Sequence, residues 1–156
     1  MSMVSYKILF LCTANSARSI MAEALLNKLG GSRFKAFSAG SEPRGELHPR
    51  AVHLLQQNHC SLDGLRSKNW AEFLGAEAQV MDLVIIVCDT LANQTCPVWP
   101  GHPRILRWGF PDPVLQAGSE QDVAKAFLDV FQQIRQRVEL LVSLPQIELE
   151  HLGKQI

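Results

Sequence analysis

The feature that most constrains the fold of this chain is a short apolar run that leads directly into a loop of small residues. The run Ile8-Leu9-Phe10-Leu11-Cys12 has no polar position, which is typical of a strand buried on both faces of a parallel sheet. The loop Thr13-Ala14-Asn15-Ser16-Ala17 follows, and an apolar stripe at helical spacing then runs from Ser19 to the stop at Gly30-Gly31. A strand, loop and helix in this order predict an α/β fold.

The remaining patterns continue the alternation of strands and helices. They predict a strand over 34–39, a helix from Pro49 to Gln56, a strand over 83–87, a weak short strand at 105–106 and a long amphipathic helix from Val123 to Val142. We therefore expect a small three-layer, flavodoxin-like sandwich with a central parallel sheet of about four strands. Ligands of such folds bind beyond the carboxyl ends of the strands, where Cys12, Cys88 and Asp112 fall.

Length and composition exclude several other classes of protein. The 156 residues contain no internal repeat or linker, so one domain over 1–156 is expected, with its core at about 7–142; whether the tail 145–156 is ordered stays open. Fifteen basic residues balance fifteen acidic ones, which disfavours a nucleic-acid partner. The apolar runs are too short for a signal peptide or a membrane span, so we expect a cytoplasmic protein without a membrane partner.

Chemistry is concentrated in the loop, where Arg18 follows Cys12 at the start of a helix. Backbone N–H groups of small residues at a helix N-terminus can converge on one oxyanion, and a guanidinium can add two parallel hydrogen bonds. We expect the same positive environment to lower the pKa of Cys12 and favour its nucleophilic thiolate. The alternative is a packing cysteine beside a solvated arginine. The expected substrate-binding residues are Thr13, Ala14, Asn15, Ser16, Ala17, Arg18 and Ser19.

The segment Leu9–Glu23 resembles the phosphate-loop signature of low-molecular-weight protein tyrosine phosphatases and of the arsenate reductases built on the same fold. Further similar stretches extend the resemblance over about 7–142: Ser38-Ala-Gly40, Leu47-His-Pro-Arg-Ala51, Arg66-Ser-Lys68, Val87-Cys-Asp89, Cys96-Pro-Val-Trp-Pro-Gly101 and Trp108-Gly-Phe-Pro-Asp-Pro113. The resemblance implies that Cys12 is the nucleophile and Arg18 the oxyanion clamp. It also implies that Asn15 and Ser19 hold the loop and that Asp112 is the general acid.

The chemistry of the reaction independently favours an acid such as Asp112. A thiolate that attacks a tetrahedral oxyanion expels an alkoxide or hydroxide, and a positioned carboxylic acid can protonate that group. Asp112 lies between two prolines, which restrict its loop, although Pro-Asp-Pro is also found in ordinary turns.

The spare cysteines distinguish the two activities that the resemblance implies. Phosphoester hydrolysis needs one thiol, whereas reduction of arsenate needs two electrons, which thiols supply by forming a disulfide. The resemblance implies that Cys12 attacks arsenate, that Cys88 then attacks Cys12 and releases arsenite, and that Cys96 attacks Cys88. Thioredoxin, or glutathione with glutaredoxin, would restore the thiols. No bound cofactor or metal is expected.

Two departures from the phosphatase pattern favour an arsenate reductase. Val114-Leu115-Gln116 follows the Asp-Pro pair, where tyrosine phosphatases of this kind have aromatic residues. Ala17 stands where many relatives carry a second loop cysteine, which leaves Cys88 as the partner for Cys12. A low-molecular-weight phosphatase is the alternative, favoured if Cys88 and Cys96 only pack.

Other candidate residues receive structural interpretations. Cys60 has no distinctive spacing, and His48 precedes Pro49 as a helix cap would. A zinc site of Cys88, Cys96 and His102 is disfavoured by its wide spacing. A flavin-binding protein of this fold, or an oxidant sensor without turnover, stays open as a further class.

Overall fold

A computed structural model describes residues 5–88, 96–145 and 148–149. The described residues form strands and helices in alternation over the first part of the chain. They are β1 (Tyr6–Cys12), α1 (Arg18–Leu29), β2 (Phe34–Gly40), α2 (Pro49–Gln57), β3 (Leu83–Cys88), β4 (Arg104–Phe110) and α3 (Glu120–Val142), with short 3-10 turns between some of them.

The four strands form one parallel sheet in the order β2-β1-β3-β4. The central strand β1 pairs along its whole length with β2, from Tyr6 opposite Phe34 to Cys12 opposite Gly40. On its other side it pairs with β3, from Ile8 opposite Leu83 to Leu11 opposite Ile86. The predicted α/β class with a central parallel sheet is confirmed, and the carboxyl ends of β1 and β3 lie side by side.

The two central strands are covered on both faces. Consecutive residues of β1, Ile8 through Leu11, have no exposed surface, and every residue of β3 is buried. Successive side chains of a strand point to opposite faces, so both faces of the sheet pack against other parts of the chain. Helix α1 contacts both α2 and α3, and most of its length is buried. The apolar run was therefore correctly interpreted as a fully buried strand.

Two elements extend beyond their predicted bounds by three residues or more. Strand β4 spans Arg104–Phe110 instead of 105–106, because it lies at the edge of the sheet, where buried Trp108 and Phe110 alternate with exposed residues. Helix α3 begins at Glu120, before the first apolar residue of its stripe. Ser119 caps it, in a capping box in which Ser119 and Asp122 each accept a hydrogen bond from the other's backbone N–H.

Parts of two sequence predictions fall outside the described residues. These are the whole loop between Cys88 and Cys96, and the tail 145–156 except residues 145, 148 and 149. Within the described part of the chain, no helix is both long and apolar enough to span a bilayer. The prediction of a single domain over 1–156 stays a prediction.

Candidate active site

Two thiols meet at the carboxyl ends of the central strands. Cys12 is the last residue of β1 and Cys88 the last residue of β3, and they are 4% and 2% exposed. The two side chains are hydrogen-bonded to each other. The structure thus brings together the two cysteines that the sequence interpretation placed at one edge of the sheet.

The loop that follows Cys12 turns its carbonyl groups outward. Three of these carbonyls accept hydrogen bonds from backbone N–H groups of the segment 42–48: Thr13 from Glu42 at 3.0 Å, Ala14 from Arg44 at 3.0 Å and Ser16 from His48 at 2.9 Å. The C=O and N–H of a trans peptide point in opposite directions, so the N–H groups of Ala14, Asn15 and Ala17 face the interior of the loop. The interior is therefore a cradle of hydrogen-bond donors at the N-terminus of α1.

The side chain of Asn15 fixes the shape of the loop. Asn15 is fully buried and has a left-handed backbone with a φ of 47°, which asparagine tolerates better than most residues. Its amide nitrogen donates to the hydroxyls of Ser19 at 2.8 Å and Ser38 at 3.0 Å, and its amide oxygen accepts from the backbone N–H of Lys68 at 2.9 Å. The loop is thus tied to α1, to β2 and to the residues that follow α2.

A glycine lets the neighbouring strand approach this loop. Gly40 ends β2 directly beside the loop, and its backbone N–H donates to the carbonyl of Lys68 at 2.9 Å. A Cβ atom at this position would collide with the carbonyl oxygen of Thr13. Only glycine allows this close contact, which explains its presence after Ser38-Ala39.

A buried network of charged and polar groups lies behind the loop. The Ser38 hydroxyl donates to the Glu23 carboxylate at 2.5 Å, and the Lys68 ammonium lies 3.9 Å from the same carboxylate oxygen. Burial raises the pKa of Glu23 and lowers the pKa of Lys68, while the opposite charge of each partner acts against these shifts. This network orients the Ser38 hydroxyl that holds Asn15.

Arg18 and Asp112 meet at the rim of the cradle. The Arg18 guanidinium is 6% exposed, donates to the carbonyl oxygen of Phe110 at 2.9 Å and lies 3.3 Å from the Asp112 carboxylate. Asp112 caps the 3-10 turn Pro113–Leu115 by accepting from the N–H of Val114 at 3.0 Å. Both side chains are therefore positioned by the carboxyl end of β4 and the turn that follows it.

The loop, Arg18 and Asp112 enclose a small cavity of about 70 Å³. Its lining comprises Cys12, Ala14, Asn15, Ser16, Ala17, Arg18, Arg44, Asp112 and Val114. This volume is well below the ~300–1,000 Å³ of pockets that hold drug-sized molecules. Donor groups and a nucleophile around so small a space fit a compact oxyanion.

The expected low pKa of the Cys12 thiol is wrong for this arrangement. The hydrogen bond with Cys88 and burial raise the pKa of Cys12, and a negative charge on Cys88 raises it further. Arg18 and the backbone N–H of Thr13 act in the opposite direction but do not prevail.

The other cysteines have different surroundings. Cys96 is half-buried; burial raises its pKa, and the charges of Arg107 and Cys88 also act on it. Cys60 is buried after α2 and is not among the described residues that line the cavity. Among the described residues, no group of three side chains could hold a metal ion.

His48 takes the capping position that the sequence suggested. It is the N-cap of α2, and its ring nitrogen accepts from the N–H of Arg50 at 3.2 Å. Its ring also lies 4.6 Å from that of Phe127, centroid to centroid. Burial, Arg44 and Arg50 lower its pKa.

Sequence reasoning missed Arg44 and the roles of Ser38, Glu23 and Lys68. Ser38 and Lys68 lie in stretches that carried the family resemblance, so their position could have been a signal. Arg44 follows Pro43 in a loop without periodicity, and nothing in its sequence surroundings indicates that it lines the cavity.

Comparisons with known proteins agree with this geometry. The family model described as low molecular weight phosphotyrosine protein phosphatase matches residues 7–155. The arsenate reductase of Bacillus licheniformis is 34% identical over 133 residues, which cover 85% of this chain and 91% of that protein.

Solved structures of two arsenate reductases are also similar to this chain. The arsenate reductase of Archaeoglobus fulgidus superposes with a TM-score of 0.68 at 28% identity, over 88% of this chain and 99% of that one. A thioredoxin-dependent arsenate reductase of Corynebacterium glutamicum has a TM-score of 0.60 at 27% identity, over 90% of this chain and 64% of that one. The chain therefore belongs to the low molecular weight phosphotyrosine protein phosphatase family, and its relatives there include arsenate reductases.

Proposed function

We propose that this protein reduces arsenate to arsenite with electrons from an external thiol. The observation that carries the proposal is the contact between the Cys12 and Cys88 thiols beside a cavity lined by N–H donors and Arg18. Hydrolysis of a phosphoester would need only Cys12. A second thiol against the nucleophile supplies the other half of a two-electron reductant.

In the first step, Cys12 bonds to arsenic and water leaves. Arsenate binds as a dianion in the loop, with its oxygens on the N–H groups and on Arg18. The raised pKa of Cys12 means that the thiol still carries a proton when the anion arrives. That proton passes through the Asp112 carboxylate, 3.3 Å from Arg18, to the hydroxyl of arsenate, which then leaves as water.

In the second step, arsenic is reduced. The Cys88 thiolate attacks the sulfur of Cys12, and the electron pair of the sulfur–arsenic bond moves to arsenic. Arsenite takes up protons and leaves, and a Cys12–Cys88 disulfide forms. The contact between these thiols before any substrate is bound means that little movement is needed for this attack.

In the third step, Cys96 attacks Cys88 and frees Cys12. Cys96 is more exposed than either of the other two thiols, so the resulting Cys88–Cys96 disulfide is the better target for an external reductant. Thioredoxin is the first candidate, because the similar enzyme of Corynebacterium glutamicum is thioredoxin-dependent. Glutathione with glutaredoxin is the second candidate.

Phosphomonoester hydrolysis is the alternative function. The observation that favours it is the Asp112 carboxylate at the cavity, 3.3 Å from Arg18, where an acid could protonate an alcohol leaving group. A phosphocysteine formed on Cys12 would then be hydrolysed by water. Among the described residues that line the small cavity, Val114 is aliphatic and none is aromatic, which does not favour a phenyl ring.

The test measures NADPH consumption with arsenate, thioredoxin and thioredoxin reductase, beside hydrolysis of p-nitrophenyl phosphate. We expect arsenate-dependent NADPH loss in the wild type and in Cys60→Ser, a matched change at another buried thiol. Cys88→Ser should lose this activity and keep its hydrolysis, whereas Cys12→Ser should lose both. Turnover of arsenate by Cys88→Ser at the wild-type rate would refute the relay. Hydrolysis without any arsenate-dependent NADPH loss, also with glutathione and glutaredoxin, would favour the phosphatase.

A further inference from the structure

The positive charge of Arg18 is partly neutralised by its contacts within the protein. One of its nitrogens donates to the Phe110 carbonyl at 2.9 Å, and another lies 3.3 Å from the Asp112 carboxylate. An oxyanion with two negative charges would add to the charge of this carboxylate and of any thiolate formed nearby. Arg18 alone therefore does not balance the charges that meet when the anion binds.

Arg44 is the other basic residue that lines the cavity. Its side chain is exposed, and among the described residues it forms no ion pair. The positive charge of Arg44 nevertheless acts on the neighbouring His48, whose pKa it helps to lower. Arg44 thus lines the cavity with an exposed side chain that has no carboxylate partner in the described part of the chain.

The backbone of Arg44 is fixed to the loop that forms the cradle. Its N–H donates to the carbonyl of Ala14 at 3.0 Å, and the Ser67 hydroxyl donates to the same carbonyl at 3.1 Å. Gly45 follows with a φ of 84°, and its N–H donates to the Ser67 hydroxyl at 3.1 Å. The Cα of Arg44 is therefore held at the cavity wall, while its side chain is exposed.

We propose that Arg44 is a second cationic ligand of the oxyanion, which binds its outer oxygens once the inner ones occupy the loop. Arg18 and the N–H groups of the loop bind the inner oxygens of the anion. Arg44 adds a second positive charge, which compensates for the part of the Arg18 charge that Asp112 neutralises. The proposal rests on the proposed function for the identity of the anion, and it holds equally for arsenate and phosphate because both are tetrahedral dianions.

The test measures binding of inorganic phosphate to the reduced full-length protein by calorimetry. Arg44→Ala and the neutral, similarly long Arg44→Gln should weaken phosphate binding about tenfold, as expected for a lost charge-assisted hydrogen bond. Arg44→Lys should lie between these variants and the wild type. Arg50→Ala removes the same charge from α2 outside the cavity lining and should change binding less than about twofold.

The outcomes separate this proposal from the proposed function. Unchanged phosphate affinity in Arg44→Gln would overturn it, and so would an equal loss in Arg50→Ala, which would indicate only a general field effect. If Arg44→Ala does not fold, the longer side chains of Arg44→Gln and Arg44→Lys still show whether the charge at this position strengthens phosphate binding. Absence of arsenate turnover in the wild type would refute the proposed reductase, but the difference in phosphate affinity would still be measurable.

Discussion

Replacement of Asn15 by alanine should destabilise the protein and disable its anion site together. The side chain makes three buried hydrogen bonds, to Ser19, to Ser38 and from the backbone of Lys68. Alanine can make none of them, and it leaves the Lys68 N–H without its acceptor. Alanine also tolerates a φ of 47° less well than asparagine does.

The size of the effect follows from these contacts. A buried hydrogen bond contributes about 1 kcal/mol, and a left-handed backbone costs a residue other than glycine or asparagine about 1–2 kcal/mol. We therefore expect Asn15→Ala to lower the free energy of unfolding by about 4 kcal/mol, a large part of the ~5–15 kcal/mol typical of a domain. Asn15→Gly should lose less, because glycine adopts this backbone without strain.

Urea unfolding followed by tryptophan fluorescence measures this loss. With a slope of about 2 kcal/mol per molar urea, the midpoint of Asn15→Ala should fall by about 2 M. Asn69→Ala is the matched control: this exposed asparagine caps a 3-10 turn through one hydrogen bond, so its loss should cost about 1 kcal/mol or less. A loss for Asn15→Ala no larger than that of the control, or unchanged phosphate binding, would refute the assigned role of Asn15.

Three further predictions concern the acid, a half-buried histidine and a helix cap. Asp112→Asn should slow aryl phosphate hydrolysis about 10²–10⁴-fold without weakening phosphate binding, because Arg18 loses a competing carboxylate; weaker binding would contradict this interpretation. The lowered pKa of His48 means that the unfolded chain takes up this proton more readily, so stability should fall as the pH drops below about 6.5. Urea unfolding on both sides of that pH should show a smaller fall in His48→Asn than in the exposed control His53→Asn, and equal falls would exclude the role of His48. Ser119→Ala should lower the free energy of unfolding by about 1 kcal/mol in thermal melts and leave hydrolysis unchanged; a change in hydrolysis would point to a role beyond capping.

The parts of the fold that could be predicted from the sequence are those whose local pattern and burial agree. Strands β1 and β3 are buried on both faces, so their uninterrupted apolar runs identify them. Strand β4 was underestimated, because an edge strand with Arg107 and Gly109 exposed lacks such a run. The start of α3 was missed because its first turn is polar and is fixed by a side-chain cap rather than by an apolar stripe.

Some residues of the candidate site could likewise be predicted from local sequence patterns, whereas others depend on contacts between distant parts of the chain. Cys12 and Arg18 are close in sequence, and their strand, loop and helix were recognisable from local patterns. The position of Arg44 depends on pairing between the loop and a segment about 30 residues later, which no local pattern reveals. The protonation of Cys12 depends on Cys88 at the end of another strand, so a prediction from the loop alone gave the wrong direction.

The long-range ties of the loop also bear on how the protein acquires activity. The carbonyls at 13, 14 and 16 are held by the segment 42–48, and Asn15 by Ser38 and Lys68. Arg18 is held by Phe110, the last residue of β4, and by Asp112 two residues later. Contacts between residues distant in sequence form late in folding, because the intervening chain must be ordered first. During refolding, the helical circular dichroism signal should therefore recover before the capacity to bind phosphate, and a nascent chain not yet extended past β4 should lack a complete site.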